Sequence, residues 1–297
     1  MSAAPSETAQ PIRSTARSER HAQIRSFLSN WQAMLGLVLV ILFFASAIFA
    51  PQLAPYDPNA MDIPARLSGP TWTHLAGTDQ LGRDTLSRIL YGGRIALLIA
   101  AVGVSISLVV GLMLGMMAAF GPRWLDSLLL LIFDSVRSFP TIILGLATVA
   151  LTGPSLGLVM VIVVITSIPQ YARVTRTAAL VLRNTDFVLA ERSLGASTLR
   201  ILWHHILPNV VGPLLILAAM DVPVVVSLEA GLSFLGLGVT PPTASWGTLL
   251  NEGYLVIRNS PWMVIMSGLP LVLTTIGFTF LAEGLRDTFD PRMNRGR

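Results

Sequence analysis

The sequence predicts an all-α integral membrane protein that crosses the bilayer six times. Of its 297 residues, 53% are hydrophobic and only 12% charged, with a mean hydropathy of +0.68. That is too apolar for the polar surface of a soluble domain. Six apolar runs are long enough to cross a hydrocarbon core of roughly 30 Å. The arginines between those runs fall mostly on one side of the membrane, which fixes an orientation.

The elements follow in chain order. Residues 1–30 form a polar tail, too long and too arginine-spread for a secretory signal and without a small-residue cleavage site, so the first run, 31–50, is expected to remain as an anchor. The loop 51–92 begins with Pro51, Pro55, Pro58, Pro64 and Pro70, which favour extended, irregular chain. Its second half carries Gly77-Thr78-Asp79-Gln80-Leu81-Gly82-Arg83-Asp84, a tight turn, and then Leu86, Ile89 and Leu90 at helical spacing. This pattern predicts an interfacial helix leading into the second run. The other runs are 95–120, 128–151, 156–171, 210–230 and 262–281. Pro140, Pro154, Pro169, Pro213, Pro223 and Pro270 lie in or near them and blur their edges, as a helical bundle tolerates.

With both termini in the cytoplasm, 14 arginines lie inside and five outside: Arg66, Arg83, Arg88, Arg94 and Arg258. Arg137 falls within a run. The positive-inside rule selects this orientation and makes the central loop, about 172–208, cytoplasmic.

That loop is the most informative stretch. Arg173, Arg176, Arg183, Arg192 and Arg200 face only Asp186 and Glu191 in it. Asn184, Thr185 and Asp186 offer N-cap oxygens, 187–194 has good helix formers, and Gly195 stands where a left-handed C-terminal cap falls. Ser197 or Thr198 starts a second short helix, which Pro208 is expected to end. Phe187, Ala190 and Leu194 share one face, with Glu191 and Arg192 directed elsewhere. Such an amphipathic knob enters a groove on another protein as a helix-in-groove contact, or else is a surface hairpin that closes a long loop.

Charges inside the runs cost roughly 2.5–3.5 kcal/mol each at a helix centre unless paired or wetted. Asp134 and Arg137 stand at i, i+3 and are expected to pair locally; the alternative is that they line a pathway or meet a partner subunit. Asp221 and Glu229 have no evident partner in their run, which makes them candidates for a water-filled face, although Glu229 also opens the outer glycine-rich stretch.

Several chemistries are excluded. The chain has no cysteine, and therefore no disulfide or thiolate metal site. All 20 basic residues are arginine, so the lysine of a Walker A loop is missing and ATP is not bound by that route. His204 and His205 are adjacent and diverge by about 100° on a helix, a poor metal pair. Ser233 sits in Gly-Leu-Ser-Phe-Leu-Gly, which lacks nucleophile-elbow spacing, so no enzyme activity is expected. The net charge of +4 reflects membrane-flanking arginines rather than nucleic-acid binding.

On these residues the central loop resembles the cytoplasmic coupling motif of permease subunits in bacterial ATP-binding-cassette (ABC) importers: Glu-Ala-Ala, three residues, Gly, nine residues, Ile, one residue, Leu-Pro. Gly195, Leu207 and Pro208 keep the spacing with Ala190 on the first alanine, while Leu189 stands at the glutamate position, Glu191 at the second alanine and His205 at the isoleucine. Three further stretches are similar to the C-type permease of dipeptide, oligopeptide and nickel importers. They are Gly77-Thr78-Asp79 with Gly82-Arg83-Asp84, the stretch Gly231 to Gly247 with Phe234, Gly236, Pro241, Pro242 and Trp246, and Gly284-Leu285-Arg286-Asp287.

The resemblance implies a type I ABC importer permease fold, with a core transmembrane domain at 93–283, the first span an addition, and a cytoplasmic tail at 284–297. It implies a multi-pass protein of the bacterial inner membrane, a heterodimer with a second permease, one or two cytoplasmic ATPase subunits that bind the ATP, and an extracytoplasmic solute-binding protein. Phe187, Ala190, Glu191, Arg192, Gly195, Leu207 and Pro208 would then form the ATPase-coupling segment. The competing readings are a self-sufficient secondary transporter, disfavoured by the lack of an internal repeat, and an assembly subunit that never lines a pathway.

Overall fold

The computed structural model describes residue 25 and residues 27–289. The expected inner-tail residues Arg13, Arg17 and Arg20, and Arg292, Arg295 and Arg297 at the other end, lie outside the described residues.

The described chain is helical apart from its connections. Helix α1 is Trp31–Ile48, capped by the Asn30 side chain. Helix α2 runs continuously over Thr85–Phe120, with one π-helical turn at Ile99–Gly103. Then come α3 (Arg123–Ser138), α4 (Thr141–Thr152), α5 (Leu156–Arg183) and α6 (Asp186–Ser193). Helix α7 spans Thr198–Phe234, α8 is Trp246–Leu255 and α9 is Pro261–Phe289. Five of these are long and apolar enough to cross a membrane, and α3 with α4 supplies a sixth crossing if the bent pair is one span.

The element boundaries depart from the sequence reading at several points, among them α5, which continues past residue 171, where the apolar run was expected to end, to Arg183. The interfacial helix expected to lead into the second run is continuous with it as the start of α2, where Thr85, Ser87, Arg88, Gly92 and Gly93 are buried. The run 128–151 is not straight: α3 and α4 meet at 83° across Phe139-Pro140, where proline disfavours helical geometry in the residue before it. Pro208 does not end a helix. A π-helical turn at Leu202–Ile206 precedes it, with the Leu207 N–H bonded five residues back to the Leu202 carbonyl. This widened turn relieves the proline clash, so α7 continues. Finally α9 passes Gly284, the expected start of the tail, and reaches Phe289.

Two close helix pairs organise the bundle. Gly111 and Gly115 of α2 lie against Tyr171, Ala172 and Thr175 of α5, where an added Cβ would fall 2.4 and 2.5 Å from existing atoms. Gly36 of α1 meets the α9 backbone as closely: a Cβ added there would fall 2.5 Å from the Leu281 nitrogen. Lipid tails provide no hydrophobic force between helices, so small residues that let backbones approach supply the dispersion energy. The main core, with Ile99, Val163, Tyr171, Ile206, Leu214 and Leu232 fully buried, lies among α2, α5 and α7.

Candidate functional site

At the end of α5 the chain turns through Asn184 and Thr185 into α6. The expected side-chain N-cap is not formed: Thr185 Oγ1 donates instead to the Leu182 carbonyl at 2.6 Å. The exit is well defined. The Ala196 N–H bonds the Glu191 carbonyl at 3.0 Å and the Gly195 N–H the Arg192 carbonyl at 2.9 Å, with Gly195 at φ +84°. These two bonds constitute a Schellman motif, which requires a left-handed residue at Gly195. No atom lies within 4 Å of where a Gly195 Cβ would stand, so the requirement is one of dihedral angle rather than space. Ser197 caps the next helix, its Oγ accepting from the Arg200 N–H.

Helix α6 touches the body through few groups. Val188 is buried. Glu191 Oε1 lies 3.5 Å from His205 Nε2, and the Phe187 ring packs on the His205 ring at 5.9 Å between centroids. Arg192 stacks over Phe120, which also receives Arg183. Outward, the helix and its exit present an apolar surface: Phe187 is 45% exposed, Leu189 47% and Leu194 84%. Ala190 is also exposed, Leu207 is half-buried and Pro208 exposed.

The intramembrane charges are partnered differently from the expectation. Asp134 and Arg137 do not form a local pair; Asp134 accepts from Arg173 Nη2 of α5. One turn of α5 further on, Arg176 forks onto Asp126 at 2.5 and 2.6 Å. Two α3 carboxylates thus tie to two α5 arginines, a cross-helix arrangement that spacing along one helix cannot reveal. Arg137 is exposed. Asp221 has a partner after all: Tyr171 Oη of α5 donates to it at 3.0 Å, and it is 5% exposed. Glu229 is fully buried and accepts from Ser233 Oγ at 2.7 Å, one turn ahead on α7. Both carboxylates therefore face packed protein within this chain rather than an open surface.

At the opposite end of the bundle the glycine-rich stretches converge. Gly77 and Gly82 adopt φ +74° and +75°, closing a loop bridged between Thr78 and Asp84. Asp79 accepts the N–H groups of Leu81 and Arg83 at 2.8 and 2.9 Å, and Arg83 Nε at 2.6 Å. Arg88, wholly buried, donates to Asp79 at 2.5 Å and forks onto Glu252 of α8 at 2.5 and 3.0 Å. Asp84 caps α2 by accepting from the Ser87 N–H at 2.7 Å and lies 2.9 Å from His74 Nδ1.

Helix α8 is held beside this knot. Its Trp246 Nε1 donates to the Ile89 carbonyl at 2.9 Å, and Gly247 lies so close to Ala230 that a Cβ would fall 2.1 Å from the carbonyl oxygen. Gly231 and Phe234 belong to the last turns of α7; Gly236 has φ +76°, and Pro241-Pro242 is a cis peptide in the connection to α8. Arg286 and Asp287 are exposed near the end of α9. Glu252 escaped the sequence reading because nothing local marks it; its role comes from residues more than 160 positions away.

The described residues thus form a bundle of span-length helices joined by close glycine contacts, with a short exposed helix clipped between two of them, the architecture of a multi-span membrane protein. Residues 111–295 match the family model described as binding-protein-dependent transport system inner membrane component, and residues 21–70 match the N-terminal TM domain of oligopeptide transport permease C. The chain belongs to this family of ABC importer permeases. It is 38% identical, over 91% of each chain, to the di/tripeptide transport system permease protein DppC of Pseudomonas aeruginosa. It is 36% identical to the dipeptide transport system permease protein DppC of Alkalihalophilus pseudofirmus, over 94% of this chain and 92% of that one. The fold resembles a chain of the inward-facing MetNI methionine ABC transporter, with a TM-score of 0.54 and 20% identity over 68% of this chain and 96% of that one.

Proposed function

We propose that this chain forms one half of the translocation pathway of a heterodimeric inner-membrane importer for peptides or a related small solute, with both termini in the cytoplasm. A solute-binding protein delivers the cargo from outside, and cytoplasmic ATPase subunits drive alternating access. The observation that carries this reading is α6: a short helix with exposed Phe187, Leu189 and Leu194, closed by a Schellman turn at Gly195 and attached to the bundle by Val188, Glu191 and Arg192. Such an element transmits a push from a docked subunit to α5 and α7 as a rigid-body motion. The names of the relatives support peptides as the cargo class.

The test separates Gly195→Val from Gly195→Asn in the purified permease–ATPase complex. A left-handed conformation costs an ordinary L-residue roughly 1–2 kcal/mol and a β-branched one more, whereas asparagine tolerates it. Gly195→Val is expected to insert normally and to lose solute-stimulated ATP hydrolysis and uptake, while Gly195→Asn retains most of both. Full coupled transport by Gly195→Val at normal ATPase occupancy would reduce α6 to a surface hairpin.

A further inference from the structure

Leu189 occupies the position where the coupling motif carries its glutamate, and the chain's nearby carboxylate, Glu191, is turned the other way. Its Oε1 lies 3.5 Å from His205 Nε2, with the two side chains 33% and 29% exposed. The Phe187 ring covers the same imidazole at 5.9 Å. His205 belongs to the π-helical turn near the start of the long α7, and its backbone carbonyl accepts from Asn209 Nδ2 at 2.6 Å. The imidazole is thus carried by a helical segment whose carbonyl is bonded by Asn209.

We infer that Glu191 and His205 are positioning residues: they form a strut that sets the angle of α6 on α7, and Glu191 is not a contact to the ATPase. The strut converts a load on the exposed Phe187–Leu194 surface into displacement of α7. Without it α6 keeps Val188, the Arg192 stack on Phe120 and the Phe187 ring on the His205 side chain, apolar and stacking contacts that allow the helix to rock. Of the charged groups nearby, Arg192 stacks on Phe120, Arg183 donates to the Ala119 carbonyl at 2.8 Å, and His204 Nδ1 lies 3.2 Å from the Arg200 carbonyl of its own helix, while Asp186 and Arg200 are exposed. The exposed surface of α6 carries Phe187, Leu189 and Leu194, with Leu189 at the position of the motif's glutamate, beside exposed Asp186 and Arg192.

This inference rests on α6 being the coupling element, and the experiment keeps the two claims apart. Glu191→Gln, His205→Gln and the exchange Glu191→His with His205→Glu are assembled with their ATPases in nanodiscs, beside Gly195→Val. ATPase occupancy and solute-stimulated hydrolysis are both measured. The loss of one contact between two part-exposed polar side chains supports a change of about twofold to fivefold. Each single variant is expected to lower stimulated hydrolysis by that factor at unchanged occupancy, and the exchange to restore it. Loss of occupancy in Glu191→Gln but not in His205→Gln would make Glu191 an ATPase contact and overturn the strut, as would an exchange variant no better than the worse single. Silent single variants beside a defective Gly195→Val would remove the strut alone. Silence of Gly195→Val as well would remove the coupling reading beneath it.

Discussion

Replacing Arg88 by methionine tests how the outer end of the bundle is held. The guanidinium is 1% exposed and ties Asp79 on the glycine-rich turn to Glu252 on α8, so its loss leaves two carboxylates facing each other across the space it filled. Asp79 keeps Arg83 Nε at 2.6 Å, but Glu252 is left with Arg83 Nη2 at 3.4 Å. Breaking a buried pair from one side costs about 3–5 kcal/mol. Because Arg83 remains and the Glu252 side chain is 20% exposed, the lower figure of about 3 kcal/mol applies. Methionine preserves the apolar stem, so packing loss adds little. At roughly 2 °C per kcal/mol for a chain of this size, thermal unfolding should begin about 6 °C lower. The assay is intrinsic tryptophan fluorescence on heating in nanodiscs, with Trp246 beside the knot as a reporter. Adding Glu252→Gln should recover part of the loss, because the stranded carboxylate is then neutral. An Arg88→Met melting curve within about 1 °C of wild type, or a double variant that is strictly additive, would refute the view that this charge network clamps α8 to α2.

Two further outcomes follow from the charge arrangement. Asp134→Asn and Arg173→Gln should be non-additive for assembly yield, because each alone strands the other's charge, whereas Asp134→Asn and Arg137→Gln should add independently; strong coupling of the latter pair would restore the local i, i+3 interaction. Single cysteines at Ser68 and Thr243 should react with an impermeant reagent from outside, and one at Ser197 only after permeabilisation; external labelling at Ser197 would invert the topology.

The amino-acid sequence by itself determined the class, the membrane runs and the position of the α5–α7 knob. These depend on quantities that are local along the chain: apolar length, and a glycine at the turn of the knob where the backbone takes a left-handed conformation. Gly195 and Ser197 could be read for that reason, since a Schellman turn and an N-cap involve only near neighbours. Tertiary structure decided what the charges do. Asp134 is three residues from Arg137 yet pairs with Arg173, and Arg88 reaches Glu252 across 164 positions. A guanidinium in a low-dielectric interior takes whichever carboxylate packing brings within reach, and packing is set by where glycines let backbones close, as Gly111 and Gly115 do against α5. The same competition decided Pro208, where a widened turn inside a well-packed helix cost less than ending it.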